Sequence, residues 1–133
     1  MIGSSQSVVA MVGDDVILPC HIEPLVNMKN ETMDWTRPDL VSSASVHRLL
    51  DGRVDSEHQD PSYSQRTSLF DDQLSHGNIS LKLSRVNLSD HGYYRCSVPH
   101  LDRRSDIQLL LGKIYCSKHG CKNYNKRSGL QTL

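Results

Sequence analysis

Seven histidines, 15 acidic residues and four cysteines are the groups in this 133-residue chain that could do chemistry. Their spacing decides which chemistry is open to them. Hydrolysis at zinc would call for His-Glu-x-x-His, acyl transfer for a Gly-x-Ser-x-Gly turn, and phosphoryl transfer for a glycine-rich loop. None of the three patterns occurs. His21 and His91 stand beside framework motifs, and His47, His58, His76 and His100 fall in expected loops or strand edges, where a solvated ring is the ordinary outcome. No enzymatic activity and no cofactor are expected. The one metal-like run is Cys116-Ser-Lys-His-Gly-Cys121. Structural zinc takes four ligands and this run offers three. The sequence therefore favours free thiols in a frayed tail, then a local Cys116–Cys121 disulfide, over a metal.

The remaining chemistry is covalent modification. Asn30-Glu-Thr, Asn78-Ile-Ser and Asn87-Leu-Ser are acceptor sequons, and with the cysteines they point to an oxidising, secretory compartment. Formal net charge is zero, which gives no bulk attraction to nucleic acid. The zero hides an asymmetry. Lys113, Lys118, Lys122, Lys126 and Arg127 lie in a tail without acids, and the rest of the chain is correspondingly acidic. Met1-Ile-Gly-Ser-Ser-Gln-Ser lacks the basic and apolar regions of a leader, and no apolar run reaches the roughly 18 residues of a membrane span. The chain reads as the ectodomain portion of a longer protein, or as the product of an incomplete or alternatively spliced transcript. Membrane association is then expected only through a segment missing from it.

Strands must position these groups, because the apolar period is two rather than 3.6. Val8 to Val12 read as an edge strand, closed by Gly13-Asp14-Asp15. Val16, Leu18 and Cys20 share one face of the next. Met33, Trp35 and Arg37 alternate with Asp34 and Thr36 until Pro38. Val46 to Leu50, the turn Asp51-Gly52, and Arg53-Val54 suggest a hairpin. Arg66 to Phe70 and Asn78 to Ser84 follow. A corner at Ser89, Asp90 and Gly92 leads into a strand with Gly92, Tyr94 and Cys96 on one face. Ser97 to Ser105 read as a loop, and Ile107, Leu109 and Leu111 as the last strand. No helical segment of length is expected. One domain, residues 6–112, and a basic, disordered tail, residues 113–133, account for the chain.

Cys20, Trp35 and Cys96, with Asp90-x-Gly92-x-Tyr94-x-Cys96 at the end, form the framework of an immunoglobulin-type sandwich. The fold class expected is all-β: an immunoglobulin V-set β-sandwich of two antiparallel sheets, about nine strands, in a Greek key. In that framework Cys20 pairs with Cys96, Trp35 packs on the disulfide, and the Tyr94 phenol bonds back to backbone upstream. Arg66 is expected to pair with Asp90.

Val12-Gly-Asp-Asp-Val-Ile-Leu-Pro-Cys20, Trp35-Thr-Arg-Pro38 and Tyr63-Ser-Gln-Arg-Thr-Ser-Leu69 resemble the variable-set domain of the butyrophilin and myelin oligodendrocyte glycoprotein family. Asn30 matches that family's sequon between strands B and C. Thr36 departs from it, standing where the family usually has an aromatic. Antigen-receptor variable domains are disfavoured, because Ser105 to Gly112 lack their Gly-x-Gly. The resemblance implies an extracellular module on the external side of the plasma membrane. It would engage a protein receptor on a lymphocyte and regulate T-cell activation and cytokine production. Self-association in homophilic adhesion, or a soluble decoy, are the alternatives. The face expected to bind comprises Asp34, Thr36, Tyr93, Arg95, Ser97, His100, Arg103 and Arg104, with Leu110 as a further outward candidate. Arg95 beside Asp34 could equally form a cross-strand pair.

Overall fold

Alternation along the chain becomes two facing sheets in the computed structural model, which describes residues 6–22, 26–40, 44–125 and 129–132, with 113–117 and 121 onward as backbone only. The strands are β1 (Gln6–Met11), β2 (Val16–Leu18), β3 (Met33–Arg37), β4 (Ala44–Leu50), β5 (Arg53–Val54), β6 (Thr67–Leu69), β7 (Leu81–Leu83), β8 (Gly92–Val98), β9 (Arg103–Ser117), β10 (Gly120–Asn125) and β11 (Gly129–Thr132). One sheet runs β2-β7-β6. The other runs β11-β10-β9-β8-β3-β4-β5, with β1 attached to β9. β1 through β9 make the nine-stranded sandwich. Helix is confined to four short 3-10 turns among the described residues.

The inner faces carry what the alternation placed there. Leu18, Met33, Trp35, Ile79, Leu81, Leu83, Tyr94, Ile107, Leu109 and Leu111 are fully buried between the sheets. Each such side chain contributes roughly 1.5–3 kcal/mol by leaving water. The β1–β9 pairing is parallel, from Gln6 opposite Ile107 to Met11 opposite Gly112. This is a departure from two purely antiparallel sheets. It arises because β1 follows the last strand before the chain crosses over, where Gly13 donates to the Val86 carbonyl at 2.8 Å, and starts β2 in the opposite sheet.

Three other expectations change. Residues 97–105 form a tight hairpin rather than a long loop: β8 and β9 stay paired from Gly92↔Leu109 to Val98↔Arg103, and only Pro99 to Asp102 turn. Asp102 supplies the left-handed residue of that turn, at φ 50°. The tail expected to be disordered carries strand pairing in its described residues, because β9 continues past Gly112 and pairs with β10. Backbone hydrogen bonds need no hydrophobic period, so that period could not announce them. Lys126 and Arg127 lie outside the described residues. His47, expected at a solvated edge, is buried. A bulge between Trp35 and Thr36 leaves Val46 without a direct partner and sets His47 opposite Trp35, on the inner face.

Candidate binding face

The platform is built first. Cys20 and Cys96 are joined across the sheets, with α-carbons 6.7 Å apart. Trp35 is fully buried in the same core, and its indole Nε1 donates to the Ile79 carbonyl at 2.9 Å, which removes the cost of burying that N–H. At the base, the Tyr94 hydroxyl donates to the Asp90 carbonyl at 2.7 Å and meets the Tyr63 hydroxyl at 3.0 Å. Burial, then Tyr63, push the Tyr94 pKa far up, so the phenol stays a donor.

Two arginines close this base. Arg66 grips Asp90 with two nitrogens, at 2.8 and 2.9 Å, and the Asp90 carboxylate also accepts from the Asn87 N–H. Arg37 grips Asp39 through Nε and Nη2, both at 3.0 Å, and donates to the Tyr63 hydroxyl at 2.8 Å. Its guanidinium lies 4.8 Å from the Tyr94 ring centre. Gly92 is glycine for two reasons. Its φ is 144°, and a β-carbon there would collide with the Asp39 and Arg37 side chains.

On that base stands the outer face of β3, β4, β8 and β9. Tyr93 is exposed there on β8, with Ser97 half-buried farther along the same strand and Thr36 half-buried on neighbouring β3. Arg95 does not meet Asp34. It lies directly opposite Asp106 on β9 and binds it with two nitrogens, at 2.7 and 3.2 Å. This bidentate hold raises the Arg95 pKa. Asp34 faces Arg48 of β4 instead, Nε to Oδ1 at 3.2 Å but without the alignment of a hydrogen bond. Arg48 also reaches Asp55 at 3.8 Å. Burial raises the Asp34 pKa; Arg48 opposes that and Asp55 adds to it. Leu110, expected outward, is buried.

The rim lies at the hairpin end. His100, Arg103 and Arg104 are exposed, and His100 Nδ1 lies 3.8 Å from the Glu31 carboxylate. Asn30 is exposed on its turn, next to the Glu31 that faces His100, and Asn87 caps the 3-10 turn Leu88–Asp90 by accepting from the Ser89 N–H. Asn78 is half-buried, accepts from the Ser80 N–H, and bridges His21 at the edge of the smaller sheet.

Two further features lie off this face among the described residues. A 320 Å³ cleft at the edge is lined by His47, Val54, Asp55, Gln59 and Thr67 among others. His47 Nδ1 is 2.9 Å from the Thr67 hydroxyl, and burial lowers the imidazole's pKa against a smaller opposing effect of Asp71. Asp55, Glu57 and His58 bring one ligand atom each within 4.8 Å of one another. Glu57 and His58 are exposed, and Asp55 also faces Arg48 at 3.8 Å.

Sequence reasoning missed Arg37, Asp39, Tyr63, Arg48 and Asp106. Arg37 was visible as the charged member of the inward series Met33, Trp35, Arg37. Asp106 would have followed from Arg95 had the hairpin been read as short.

The immunoglobulin V-set domain family matches residues 3–110. Among curated proteins, the chain is 38% identical over 96 residues to myelin-oligodendrocyte glycoprotein of Macaca fascicularis, covering 72% of this chain and 38% of that one. It is 33% identical over 96 residues to butyrophilin subfamily 1 member A1 of Homo sapiens, covering 72% and 18%. It is also 33% identical over 87 residues to the human V-set domain-containing T-cell activation inhibitor 1, covering 65% and 30%. The chain thus spans well under half the length of these relatives. Among solved structures, the human B7-H4 IgV-like domain superposes with a TM-score of 0.67 at 28% identity, covering 77% of this chain and 90% of that one. Bovine butyrophilin gives 0.69 at 23% identity, covering 91% and 64%.

Proposed function

This chain belongs to the immunoglobulin V-set family, and on that premise we propose that it is an extracellular binding module for a protein receptor on lymphocytes, through which T-cell activation is regulated. It acts by binding rather than by catalysis. The observation that carries this reading is the outer face of β3, β8 and β9. Tyr93 stands exposed toward its base end, opposite Gln108 of β9, while Asp34 and Arg95 face Arg48 and Asp106 within the chain. Such a face presents an aromatic anchor without a bare charge to desolvate, which is the composition of a protein-binding surface core. Exposed Arg103, Arg104 and His100 supply a polar rim. The kinship with a protein named a T-cell activation inhibitor supports the receptor class.

Self-association through Asp34 of one copy and Arg95 of another loses its basis, since both already have partners in their own chain. Glycans on Asn78 and Asn87 would leave the Tyr93 face open, and one on Asn30 would restrict approach at the His100 end of the rim. The test uses the chain multimerised on fluorescent beads and mixed with resting and activated lymphocytes, with bead-on-bead clustering scored in parallel. Staining without clustering is the expected result. Clustering without staining would replace the receptor reading with homophilic adhesion.

A further inference from the structure

We propose that Cys116 and Cys121 form a second disulfide, which staples the β9–β10 ribbon where it runs beyond the sandwich. The register carries the proposal. β9 and β10 pair antiparallel with Ser117 opposite Gly120 and Cys116 opposite Cys121. Lys118 and His119 alone form the loop, and Gly120 takes φ 111°, a conformation that glycine adopts freely. A pair closing a two-residue loop exchanges both backbone hydrogen bonds, and bonded and non-bonded pairs alternate from there. Ser117 and Gly120 are the bonded pair. Cys116 and Cys121 are the next, non-bonded pair, whose α-carbons stand about 4.5 Å apart. A disulfide spans α-carbons roughly 4.4–6.8 Å apart. The backbone therefore needs no rearrangement to admit the bond.

The alternatives narrow for the same reason. The chain has four cysteines, and Cys20 is bonded to Cys96. Within one chain, Cys116 has only Cys121 to meet. The oxidant is a low-molecular-weight disulfide such as glutathione disulfide. One cysteine thiolate attacks it, forms a mixed disulfide and releases one thiol. The other cysteine then displaces the second thiol. One S–S bond forms in the protein and one breaks in the oxidant, which takes up two protons and two electrons. The staple also fixes the ribbon's register, in which Lys113 stands opposite Tyr124 and Tyr115 opposite Lys122. A slip of one residue would exchange the two faces of the ribbon.

The experiment refolds the full chain in a glutathione redox buffer, alkylates free thiols and digests with trypsin without reduction. Cleavage after Lys113, Lys118 and Lys122 cuts between the two cysteines and yields the peptides 114–118 and 119–122. The expected result is one joined species that splits into the two peptides on reduction. Recovery of both as separately alkylated peptides, or linked to Cys20, Cys96 or another chain, would overturn the proposal. Gly120→Val disfavours the turn and should shift the pair's equilibrium with glutathione roughly tenfold toward the thiols. An unchanged equilibrium would mean that closeness in sequence, not the hairpin register, makes the bond, and would overturn the structural argument.

Discussion

Arg66–Asp90 and Arg95–Asp106 are the same pair of groups at nearly the same distance, 2.8 and 2.7 Å, in two different places. At the base of the sandwich the side chains are 10% and 3% exposed; on the outer face they are 32% and 37% exposed. Water makes the difference. A buried charge that loses its partner has nowhere to go, whereas an exposed one is hydrated and screened. Contact geometry alone would rank the two pairs alike. Burial assigns one to holding the fold and leaves the other available for recognition.

Asp90→Ala is the harshest way to test that contrast. It strands the Arg66 guanidinium and removes the acceptor of the Asn87 N–H, and should cost about 3–5 kcal/mol. Chemical denaturation followed by tryptophan fluorescence reads this through Trp35. A loss no larger than that for the exposed pair would erase the distinction. Gly92→Ala should follow at about 1–3 kcal/mol, because the new β-carbon meets the Arg37–Asp39 pair on a backbone with positive φ.

His47 sharpens the comparison through pH. Its folded pKa lies below the ordinary 6.5, chiefly through burial, so the unfolded chain binds the proton more readily. Stability from keeping this ring neutral is present above 6.5 and is lost as pH falls from there toward the folded value. His47→Gln should flatten the thermal midpoint against pH between 7.5 and 5.5, measured beside the unsubstituted chain. An identical slope in both would remove His47 as the cause. Arg95→Ala is the mildest: about 0–1 kcal/mol of stability, since its pair is open to solvent. A loss several times larger would show that Arg95–Asp106 holds the fold after all.

The framework was legible because the sandwich demands particular residues at particular steps. Cys20, Trp35, Tyr94 and Cys96 mark the core, and Arg66 and Asp90 were foreseen as a pair. The outer face was legible as a set of outward positions, Thr36, Tyr93, Arg95 and Ser97, but not as a set of contacts. Alternation says which face a residue takes, not which neighbour it meets. The partner of Arg95 is decided by where the Pro99–Asp102 turn closes, and that of Asp34 by the register of β4. His47 escaped because one bulged residue reverses the alternation after it. The strands of the tail escaped because a backbone ladder needs no hydrophobic period to announce it.

The most direct measurement compares lymphocyte staining by multimers of the unsubstituted chain, Tyr93→Ala, Arg95→Ala and Lys82→Ala, the last placed on the opposite sheet, with thermal midpoints recorded for each. Loss of staining with Tyr93→Ala and Arg95→Ala, at little-changed midpoints and with Lys82→Ala staining normally, is the predicted result. Equal staining by all four, or loss confined to Lys82→Ala, would contradict the assignment of recognition to the outer face of β3, β8 and β9.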